Sequence, residues 1–488
     1  MDSRKTFYGL ARTLLYSIGT CNRTKLLRGY INHPIKKENY VMATVQLQIE
    51  RMIVKARKAA EIFKGFSQEQ VDAVVEAMTK AGVANERILA ELAVEETGIG
   101  NVEDKVIKNH FGTQIVYDYM KGKKSVGIIE EDEGIITIAE PFGVIAAITP
   151  VTNPSATTLF KSLIALKGRN VICLAFHPKA QKCSVAAAQI MLDAAMAAGA
   201  PVDCIQWVET PSIEATDALM KHPGVAMVIA TGGGAMVKAA YSSGHPALGV
   251  GPGNVPVFIE KTANLAMAIP DVIASKTFDN GTICSSDQSV IFDDAAVAKK
   301  ALQLFEEQGA YLCSEEEKAK LEAVMFDKER GVPSMAIIGK KPQIIAELAG
   351  FRVSDDVKLL MVPLTTTGPE DWMSHEKLSP VLGWFIVETR EAAIAAAVCQ
   401  LEFGGAGHSA VVFTEDEEVA KEFALRVPAN RVVWNQPSVH GTIGALYNDL
   451  VPSLTLGCGA MGGNITTENV GYKNLLNIKR VARRRLAA

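Results

Sequence analysis

The distribution of apolar residues predicts that the chain opens with helices. Apolar side chains recur at spacings of three and four along three successive segments, which predicts helices over residues 46–63, 67–81 and 85–96. Ser67 and Gln70 have the spacing of a capping box, a pattern typical of a helix start. We therefore expect a helical layer before the first sheet.

The period changes from helical to alternating after a further helix that ends near Met120. Two β-rich runs, 125–129 and 135–139, flank an acidic turn. Two such runs joined by a short polar turn predict an antiparallel hairpin.

From residue 144 the chain alternates short β-rich apolar runs with helical runs. The predicted strands are 144–148, 171–175, 204–208 and 225–230. The predicted helices are 157–166, 180–197 and 212–220. A second alternating pattern has apolar runs at 255–259, 289–292, 335–338, 359–362 and 383–387. Such alternation predicts an α/β fold with two open α/β domains, each built on a parallel sheet covered on both faces.

Composition is that of a soluble globular protein. The 488 residues are 48% hydrophobic and 21% charged, which suits two or three packed domains. A net charge of -4 gives no electrostatic signature of nucleic-acid binding. The eight cysteines show neither C-x-x-C pairs nor metal-ligand spacing, which indicates a reducing compartment without a zinc site. No apolar run reaches the roughly 18 residues that span a bilayer, so we expect a cytoplasmic protein.

The first 41 residues differ from the rest, with eight Lys or Arg against two acidic residues. Met42 then opens a clean helical pattern, so we expect an over-extended gene model. Two alternatives stay open: a targeting segment, since residues 7–18 are moderately apolar with basic flanks, and a short amphipathic docking helix.

One cysteine stands in an unusual setting. Cys284 follows an Asn-Gly turn signal at 280–281 and has small polar neighbours, Thr282, Ser285 and Ser286. A cysteine attacks carbon as its thiolate, and an apolar core raises the thiol pKa, so this presented thiol is a candidate nucleophile. The alternative is an ordinary small core residue.

Two glycine clusters are candidate ligand contacts. Residues 231–234 lie between a predicted strand and a predicted helix, where main-chain N–H groups can face a pyrophosphate. The cluster is not the G-x-G-x-x-G fingerprint, and a purely geometric turn is the alternative. Residues 249–254 indicate main chain held close to a ligand, or a tight turn between the domains.

Ordered matches from Met42 to Lys479 give the chain a family resemblance. The matching segments are 140–145, 152–154, 160–167, 177–178, 232, 251–254, 284, 375–380, 404–408 and 453–459. The sequence resembles the aldehyde dehydrogenase superfamily, and within it the coenzyme-A-acylating branch found as the N-terminal half of bifunctional aldehyde-alcohol dehydrogenases. The iron-dependent alcohol dehydrogenase half would begin where this chain stops, so we expect that activity to be absent.

The resemblance implies an aldehyde dehydrogenase-like fold: two open α/β domains plus a small β oligomerisation element. The expected parts are a basic extension at 1–41, a dinucleotide-binding domain at 42–252, a catalytic domain at 253–440, and a return to the cofactor domain with oligomerisation strands and a basic tail at 441–488. The hairpin at 123–140 belongs to the oligomerisation element, so we expect a homodimer or homotetramer.

The resemblance also implies catalytic roles. Cys284 adds to the aldehyde to give a thiohemiacetal whose hydride passes to NAD+, which leaves a thioester on the enzyme. Asn153 joins the Cys284 N–H as an oxyanion hole, with an Asn-Pro turn as the alternative. His375 assists proton transfer to or from the thiols, with a structural histidine as the alternative.

The residues expected to bind the cofactor are Thr149, Pro150, His177, Thr231, Gly232, Gly233 and Glu376. Among them, Glu376 holds the nicotinamide ribose hydroxyls. Ala180 stands where many relatives carry an acidic residue, and Lys179 is compatible with a 2'-phosphate. Both features favour NADP, but the resemblance to the NAD-using bifunctional enzymes implies NAD, so we expect NAD, with NADP as the alternative.

A departure from the hydrolytic relatives precedes the second glycine cluster. Hydrolytic members carry a water-activating glutamate within Glu-Leu-Gly-Gly, whereas residues 247–250 here are Ala-Leu-Gly-Val. Without that base the thioester should persist until coenzyme A, a stronger nucleophile than water, arrives. A hydrolytic aldehyde dehydrogenase is the rival enzyme, and a non-catalytic assembly or shell-associated protein is the rival of another class.

The expected aldehyde pocket includes Asn435 and His440. His440 replaces a glutamine-like position and Ala445 replaces an Asp of acetaldehyde-type relatives. Losing an acid and gaining a possible cation favours an anionic aldehyde such as sulfoacetaldehyde or succinate semialdehyde, with acetaldehyde as the alternative. His440 as a packing residue is the other alternative. Docking to a bacterial microcompartment shell through the N-terminal extension also stays open.

Overall fold

The computed structural model describes residues 37–485, with side chains from residue 44 onward. The predicted extension at 1–41 lies outside the described residues except for 37–41, which belong to the first helix. No helix within the described range is long and apolar enough to cross a membrane.

The predicted helical first part is confirmed. The helices are Lys37–Lys64, Gln68–Ala84, Glu86–Thr97, Val102–His110, Val116–Met120, Pro154–Lys167, Gln181–Ala197, Ile213–Met220, Gly234–Tyr241, Leu265–Thr277, Ala295–Glu307, Glu315–Met325, Pro342–Leu348, Arg390–Gly404, Glu417–Arg426 and Ser438–Thr442. The capping box at Ser67 and Gln70 is present, with both reciprocal hydrogen bonds. A π-helical turn, Phe111–Ile115, connects the fourth helix to the fifth.

The strands form two large parallel sheets, one small antiparallel sheet and a two-stranded ribbon. The strands are β1 (Gly127–Glu131), β2 (Ile135–Pro141), β3 (Val144–Ile148), β4 (Val171–Ala175), β5 (Ile205–Trp207), β6 (Met227–Thr231), β7 (Ala247–Val250), β8 (Val255–Ile259), β9 (Asp287–Phe292), β10 (Ala310–Leu312), β11 (Phe326–Asp327), β12 (Val332–Pro333), β13 (Leu359–Pro363), β14 (Val381–Ile386), β15 (Gly407–Phe413), β16 (Ala429–Trp434) and β17 (Leu476–Ala482).

The first parallel sheet has the strand order β5-β4-β3-β6-β7. Every residue of β3 and β4 is buried, as expected for central strands covered by helices on both faces. The chain leaves β3 toward β4 and later returns to its other side at β6, so the strand order reverses between β3 and β6. In open α/β sheets such a switch point is where ligands bind, beyond the carboxyl ends of the strands.

The second parallel sheet has the order β10-β13-β14-β9-β8-β15-β16. Its side chains alternate between two cores: Val257 and Val290 pack on one face, and Phe258 and Ile291 on the other. The prediction that 335–338 is a strand is wrong, because this segment is a turn. Ile337 and Ile338 there are buried against a neighbouring core, which accounts for the apolar run.

The predicted hairpin is confirmed as β1 and β2, paired antiparallel. The C-terminal strand β17 adds to the other side of β2, in a register that runs from Leu476 opposite Pro141 to Ala482 opposite Ile135. The domain boundaries predicted from the sequence stay predictions.

Candidate active site

Cys284 lies in a tight loop between the 3₁₀ turn Phe278–Gly281 and strand β9. Asp279 and Asn280 have φ values of 49° and 53°, in the left-handed region that Asn and Asp tolerate best among residues with a side chain. The loop places Cys284 before the amino end of β9. The nucleophile of the second sheet therefore lies at the amino end of a strand, whereas the switch point of the first sheet lies at the carboxyl ends of its strands.

The Cys284 residue is partly exposed, but its thiol is in a desolvated setting. Burial, followed by the Glu376 charge, raises the pKa of Cys284 to about 12, and Arg431 opposes both effects. The expectation that small polar neighbours favour the thiolate is wrong here, since Thr282, Ser285 and Ser286 are themselves buried. The resting thiol is protonated near neutral pH.

Gly253 connects the second glycine cluster to the cysteine. A Cβ atom on Gly253 would overlap the carbonyl oxygen of Cys284 and would lie 3.2 Å from Cε1 of His408. The Gly253 N–H donates a 3.2 Å hydrogen bond to Glu376 Oε1. This glycine thus brings Cys284, Glu376 and His408 together, as the reading of 249–254 as closely held main chain predicts.

Glu376 is 5% exposed, and burial raises its pKa to about 7. Its position is fixed from strand β9: the Lys377 N–H donates to Gln288 Oε1 at 3.0 Å, and Lys377 Nζ donates to the Gln288 carbonyl at 2.9 Å. Strand β9, which follows Cys284 in the chain, therefore also holds the segment that carries the Glu376 carboxylate.

His375 lies in an aromatic cluster. Its ring centroid is 4.8 Å from that of Phe403 and 5.7 Å from that of Trp372. Nδ1 lies 3.2 Å from the Glu376 carbonyl oxygen. These contacts fit a packed histidine, the alternative raised for this position, and the predicted part of His375 in proton transfer stays a prediction.

His408 is a residue to which the sequence assigned no role. It is fully buried, its Nδ1 lies 3.0 Å from Ser409 Oγ, and its Nε2 has no hydrogen-bond partner within the described residues. Burial, with Arg431 second, lowers the His408 pKa to about 3. The His408 imidazole is therefore neutral and a weak base, with an unpaired nitrogen beside the Cys284 loop that can form a further hydrogen bond. The motif at 404–408 was its only signal in the sequence.

Arg431 is a second residue that sequence reasoning missed. It is 4% exposed and donates to three main-chain carbonyls: His408 and Gly457 at 2.8 Å each, and Thr467 at 3.2 Å. No carboxylate of residues 44–485 lies within 4.0 Å of its guanidinium. Its charge therefore acts on the thiols of Cys284 and Cys458, lowering the pKa of both.

A buried ion cluster fixes the loop that precedes Cys284. Asp279 Oδ2 accepts from Lys105 Nζ at 2.9 Å and from Lys108 Nζ at 2.5 Å. Lys105 also donates to the Thr152 carbonyl at 3.1 Å. Thr152 precedes Asn153, which begins the helix Pro154–Lys167, is partly exposed and makes no side-chain cap hydrogen bond. The cluster thus ties the predicted oxyanion-hole segment to the nucleophile loop.

The carboxyl edge of the first sheet fits a dinucleotide. Thr149 follows β3 and Thr231 ends β6, the two neighbours at the switch point, and the buried hydroxyl of each has no partner within the described residues. Gly232 and the exposed Gly233 lead into the helix Gly234–Tyr241, and a Cβ on Gly233 would meet nothing within 4 Å. Unpaired hydroxyls beside open main chain at a helix start are suited to a ligand with phosphates.

Pro150 and His177 complete the predicted cofactor set at this edge. Pro150 follows Thr149 and is partly exposed. His177 caps the short turn Pro178–Ala180 after β4, where its Nδ1 accepts from the Lys179 N–H at 3.2 Å. All the predicted cofactor residues except Glu376 therefore lie at one edge of the first sheet.

A cavity beside the cysteine loop has an almost wholly apolar lining. The residues around it are Ile107, Lys108, Phe111, Phe278, Ile283, His440, Ile443, Leu446 and Leu454. Ile283 adjoins Cys284, and the His440 ring centroid lies 4.9 Å from that of Phe278. Asn435 is not among the residues around this cavity, and its amide donates to the Thr414 carbonyl at 2.9 Å and accepts from the Thr414 N–H at 3.0 Å. Its predicted place in the aldehyde pocket stays a prediction.

Known proteins resemble the chain in sequence and in fold. Aldehyde-alcohol dehydrogenase 2 of Entamoeba histolytica is 47% identical over 91% of this chain and 52% of its own length. An acetylating aldehyde dehydrogenase from Geobacillus thermoglucosidasius is 45% identical, with a TM-score of 0.89 over 92% of this chain and 99% of that one. Rhodopseudomonas palustris propionaldehyde dehydrogenase, solved with bound CoA and an acylated cysteine, is 27% identical, with a TM-score of 0.78 over 89% and 97% of the two chains.

The chain spans about half the length of the aldehyde-alcohol dehydrogenases it matches. The profile of the Aldehyde dehydrogenase family matches residues 33–445. The chain therefore belongs to the aldehyde dehydrogenase family.

Proposed function

We propose that the chain is a coenzyme-A-acylating aldehyde dehydrogenase, which converts an aldehyde, CoA and NAD+ into acyl-CoA, NADH and a proton, reversibly. The observation that carries the proposal is a cysteine loop built for a nucleophile, with Ala247 in strand β7 where hydrolytic relatives carry their water-activating glutamate. The acylated cysteine of the propionaldehyde dehydrogenase relative supports the same chemistry.

Cys284 supplies the attacking sulfur. Its sulfur–carbon bond forms as the aldehyde oxygen takes up negative charge, which the Asn153 amide and the Cys284 N–H stabilise by hydrogen bonding. NAD+, when bound, supplies the hydride acceptor. The remaining acyl group is a thioester on Cys284, and attack by the CoA sulfur on its carbon expels the Cys284 thiolate.

His375 stays the candidate for proton movement to or from the thiols. His408 is the poorer candidate, because burial lowers its pKa to about 3 and its neutral imidazole is too weak a base to take a proton from a thiol whose pKa is about 12. Its unpaired Nε2 can instead form a hydrogen bond with a bound group.

Glu376 is the residue on which the distinction from hydrolysis depends. Its charge raises the Cys284 pKa, so a carboxylate does lie near the nucleophile. Oε1 accepts a hydrogen bond from the Gly253 N–H, and we assign the carboxylate to the ribose hydroxyls of the nicotinamide half rather than to water. The thioester then waits for CoA, whose thiol is the better nucleophile.

The apolar cavity supports an uncharged short aldehyde as the substrate. His440 contributes no cation, because burial lowers its pKa below the usual histidine value. Lys108 is already paired with Asp279. An anionic aldehyde, expected from His440 and Ala445 in the sequence, is the second candidate, since Lys108 is the one cation that lines the cavity in the described residues.

Assembly and location are further parts of the proposal. The antiparallel sheet β1-β2-β17 supports a homodimer or homotetramer, because its outer strands have unpaired edges within the described chain. We place the protein in the cytoplasm. Docking to a microcompartment shell depends on residues outside the described range and stays a prediction.

The test is the CoA dependence of product formation. NADH is followed with propionaldehyde, acetaldehyde, sulfoacetaldehyde and succinate semialdehyde, each with and without CoA, and products are identified by mass spectrometry. We expect acyl-CoA, a strict CoA requirement, the highest kcat/KM with an uncharged aldehyde, and no turnover by Cys284→Ala. Free acid formed at the same rate without CoA would overturn the acylating proposal. Preference for sulfoacetaldehyde or succinate semialdehyde would overturn only the substrate class.

A further inference from the structure

Glu96 caps a helix from a distant part of the chain. Its Oε1 accepts from the Lys182 N–H and its Oε2 accepts from the Cys183 N–H, both at 2.8 Å. These N–H groups belong to the first turn of the helix Gln181–Ala197. The carboxylate comes from the helix Glu86–Thr97, so no local sequence signal joins the two.

This capped helix starts at the cofactor edge of the first sheet. Its first residue follows the Pro178–Ala180 turn, which His177 connects to β4. The end of β4 is tied to the end of β3, since the Thr149 N–H donates to the Ala175 carbonyl at 3.1 Å. Thr149 is 2% exposed, and its hydroxyl has no partner within the described residues.

The carboxyl end of the strand beside the switch point has a known role in dinucleotide-binding sheets. When an open sheet binds a dinucleotide at its switch point, the strand next to the first one carries at its carboxyl end the residue that reads the adenosine ribose. Here that strand is β4. An acidic side chain at this place accepts from a ribose 2'-hydroxyl, whereas a 2'-phosphate needs free donors and positive charge.

We propose that Glu96 makes this chain select a dinucleotide with a free 2'-hydroxyl over a 2'-phosphorylated one. Glu96 occupies two helix N-terminal N–H groups that would otherwise serve a phosphate, and it sets a negative charge beside that position. The inference rests on the proposed use of a nicotinamide dinucleotide.

The cations nearby are a weaker influence. Lys179 and Lys182 are exposed, so water and salt screen their attraction for a phosphate. Glu96 is partly buried and held by two hydrogen bonds. We therefore give the carboxylate, which is held in place, more weight than the two exposed ammonium groups.

The test compares the affinities of ADP and 2',5'-ADP by isothermal titration calorimetry, without turnover. Glu96→Gln removes the charge and keeps an acceptor for one N–H. We expect wild-type protein to prefer ADP and Glu96→Gln to shift the ratio toward 2',5'-ADP on the order of tenfold, with a parallel shift in NADP+ over NAD+ kcat/KM. Glu95→Gln, the same change at an exposed neighbouring position, should leave the ratio unchanged.

Each outcome decides the proposal. An unchanged ratio in Glu96→Gln, or an equal loss of affinity for both ligands, would overturn it and leave Glu96 a helix cap. If the variant does not fold, wild-type protein decides alone, because tighter binding of 2',5'-ADP than of ADP contradicts the proposal. Failure of wild-type protein to bind either nucleotide would instead count against the cofactor site of the proposed function.

Discussion

Gly253 packs directly on Cys284, so closely that a Cβ atom on the glycine would overlap the carbonyl oxygen of the cysteine. Gly253→Ala must therefore displace the nucleophile loop or the segment that holds Glu376. We expect kcat/KM to fall on the order of 100-fold, the usual scale for a displacement of about 1 Å in an active site. Gly251→Ala is the matched control, because a Cβ there would meet nothing within 4 Å. Similar losses in both variants would contradict the account of this contact.

The Glu376 charge raises the pKa of Cys284, so its removal should make the thiol more reactive. Only the thiolate is alkylated, and each unit by which the pKa falls increases the thiolate fraction about tenfold at a pH below that pKa. We expect Glu376→Gln to react with iodoacetamide about three- to tenfold faster at pH 8 and to bind NAD+ more weakly. The exposed Glu370→Gln serves as the control.

Two results would count against this assignment of Glu376. An unchanged alkylation rate would show that the carboxylate does not act on Cys284. Wild-type turnover without CoA that disappears in Glu376→Gln would identify the carboxylate as a base for water.

Arg431 has the opposite effect on the Cys284 pKa, which its positive charge lowers. Arg431→Met should therefore slow alkylation at pH 8 by about tenfold, and Arg431→Lys should retain most of the rate. Arg169→Met is the matched control, since Arg169 is also buried and donates to main-chain carbonyls, those of Lys64 and Ala139. Equal rates in the two Met variants would reduce Arg431 to a structural role.

Asp279 should stabilise the fold strongly, because it neutralises two buried lysines. Burial would raise the pKa of Asp279, but Lys108 and Lys105 outweigh it and lower the pKa below its usual value. Asp279→Asn should cost about 3–5 kcal/mol in the free energy of unfolding near pH 7. Asp217→Asn, which breaks an exposed pair with Lys221, should cost less than about 1 kcal/mol.

The pH dependence of the stability lost in Asp279→Asn follows from the direction in which the Asp279 pKa is shifted. A carboxyl group with a lowered folded pKa adds stability above its unfolded pKa of about 4, and this is lost as the pH falls through the folded pKa. Urea unfolding should therefore show the difference between wild-type protein and Asp279→Asn shrinking below about pH 4. A difference that stays constant with pH would assign the loss to packing instead.

Much of the fold could be predicted from local pattern. The predicted bounds of β3, β4 and β8 agree with the structure to the residue, because each short buried β-rich run is bounded on at least one side by a polar residue or a glycine. The apolar run at 335–338 was wrongly predicted to be a strand, because a buried turn and a short strand have the same apolar signature. Strands β15 and β16 have no counterpart among the predicted strands, although residues 404–408 belong to the motifs of the family resemblance.

The site was less predictable because its contacts are long-range. Asp279 meets Lys105 and Lys108 across more than 170 residues, and Glu96 reaches Cys183 across 87. No local spacing indicates such pairs. The sequence also does not indicate that Cys284 is desolvated, because its polar sequence neighbours Thr282, Ser285 and Ser286 are themselves buried in the fold. The family resemblance located Glu376 and His440, whose surroundings only the structure describes.

The central claim is that the acyl group stays on Cys284 until CoA removes it, and mass spectrometry of the intact protein tests this most directly. Protein mixed with NAD+ and propionaldehyde without CoA should gain one propionyl group on the peptide that contains Cys284 and release about one NADH per chain. The adduct should persist for minutes and disappear when CoA is added. Continued NADH release without CoA, with no adduct on Cys284, would contradict the account.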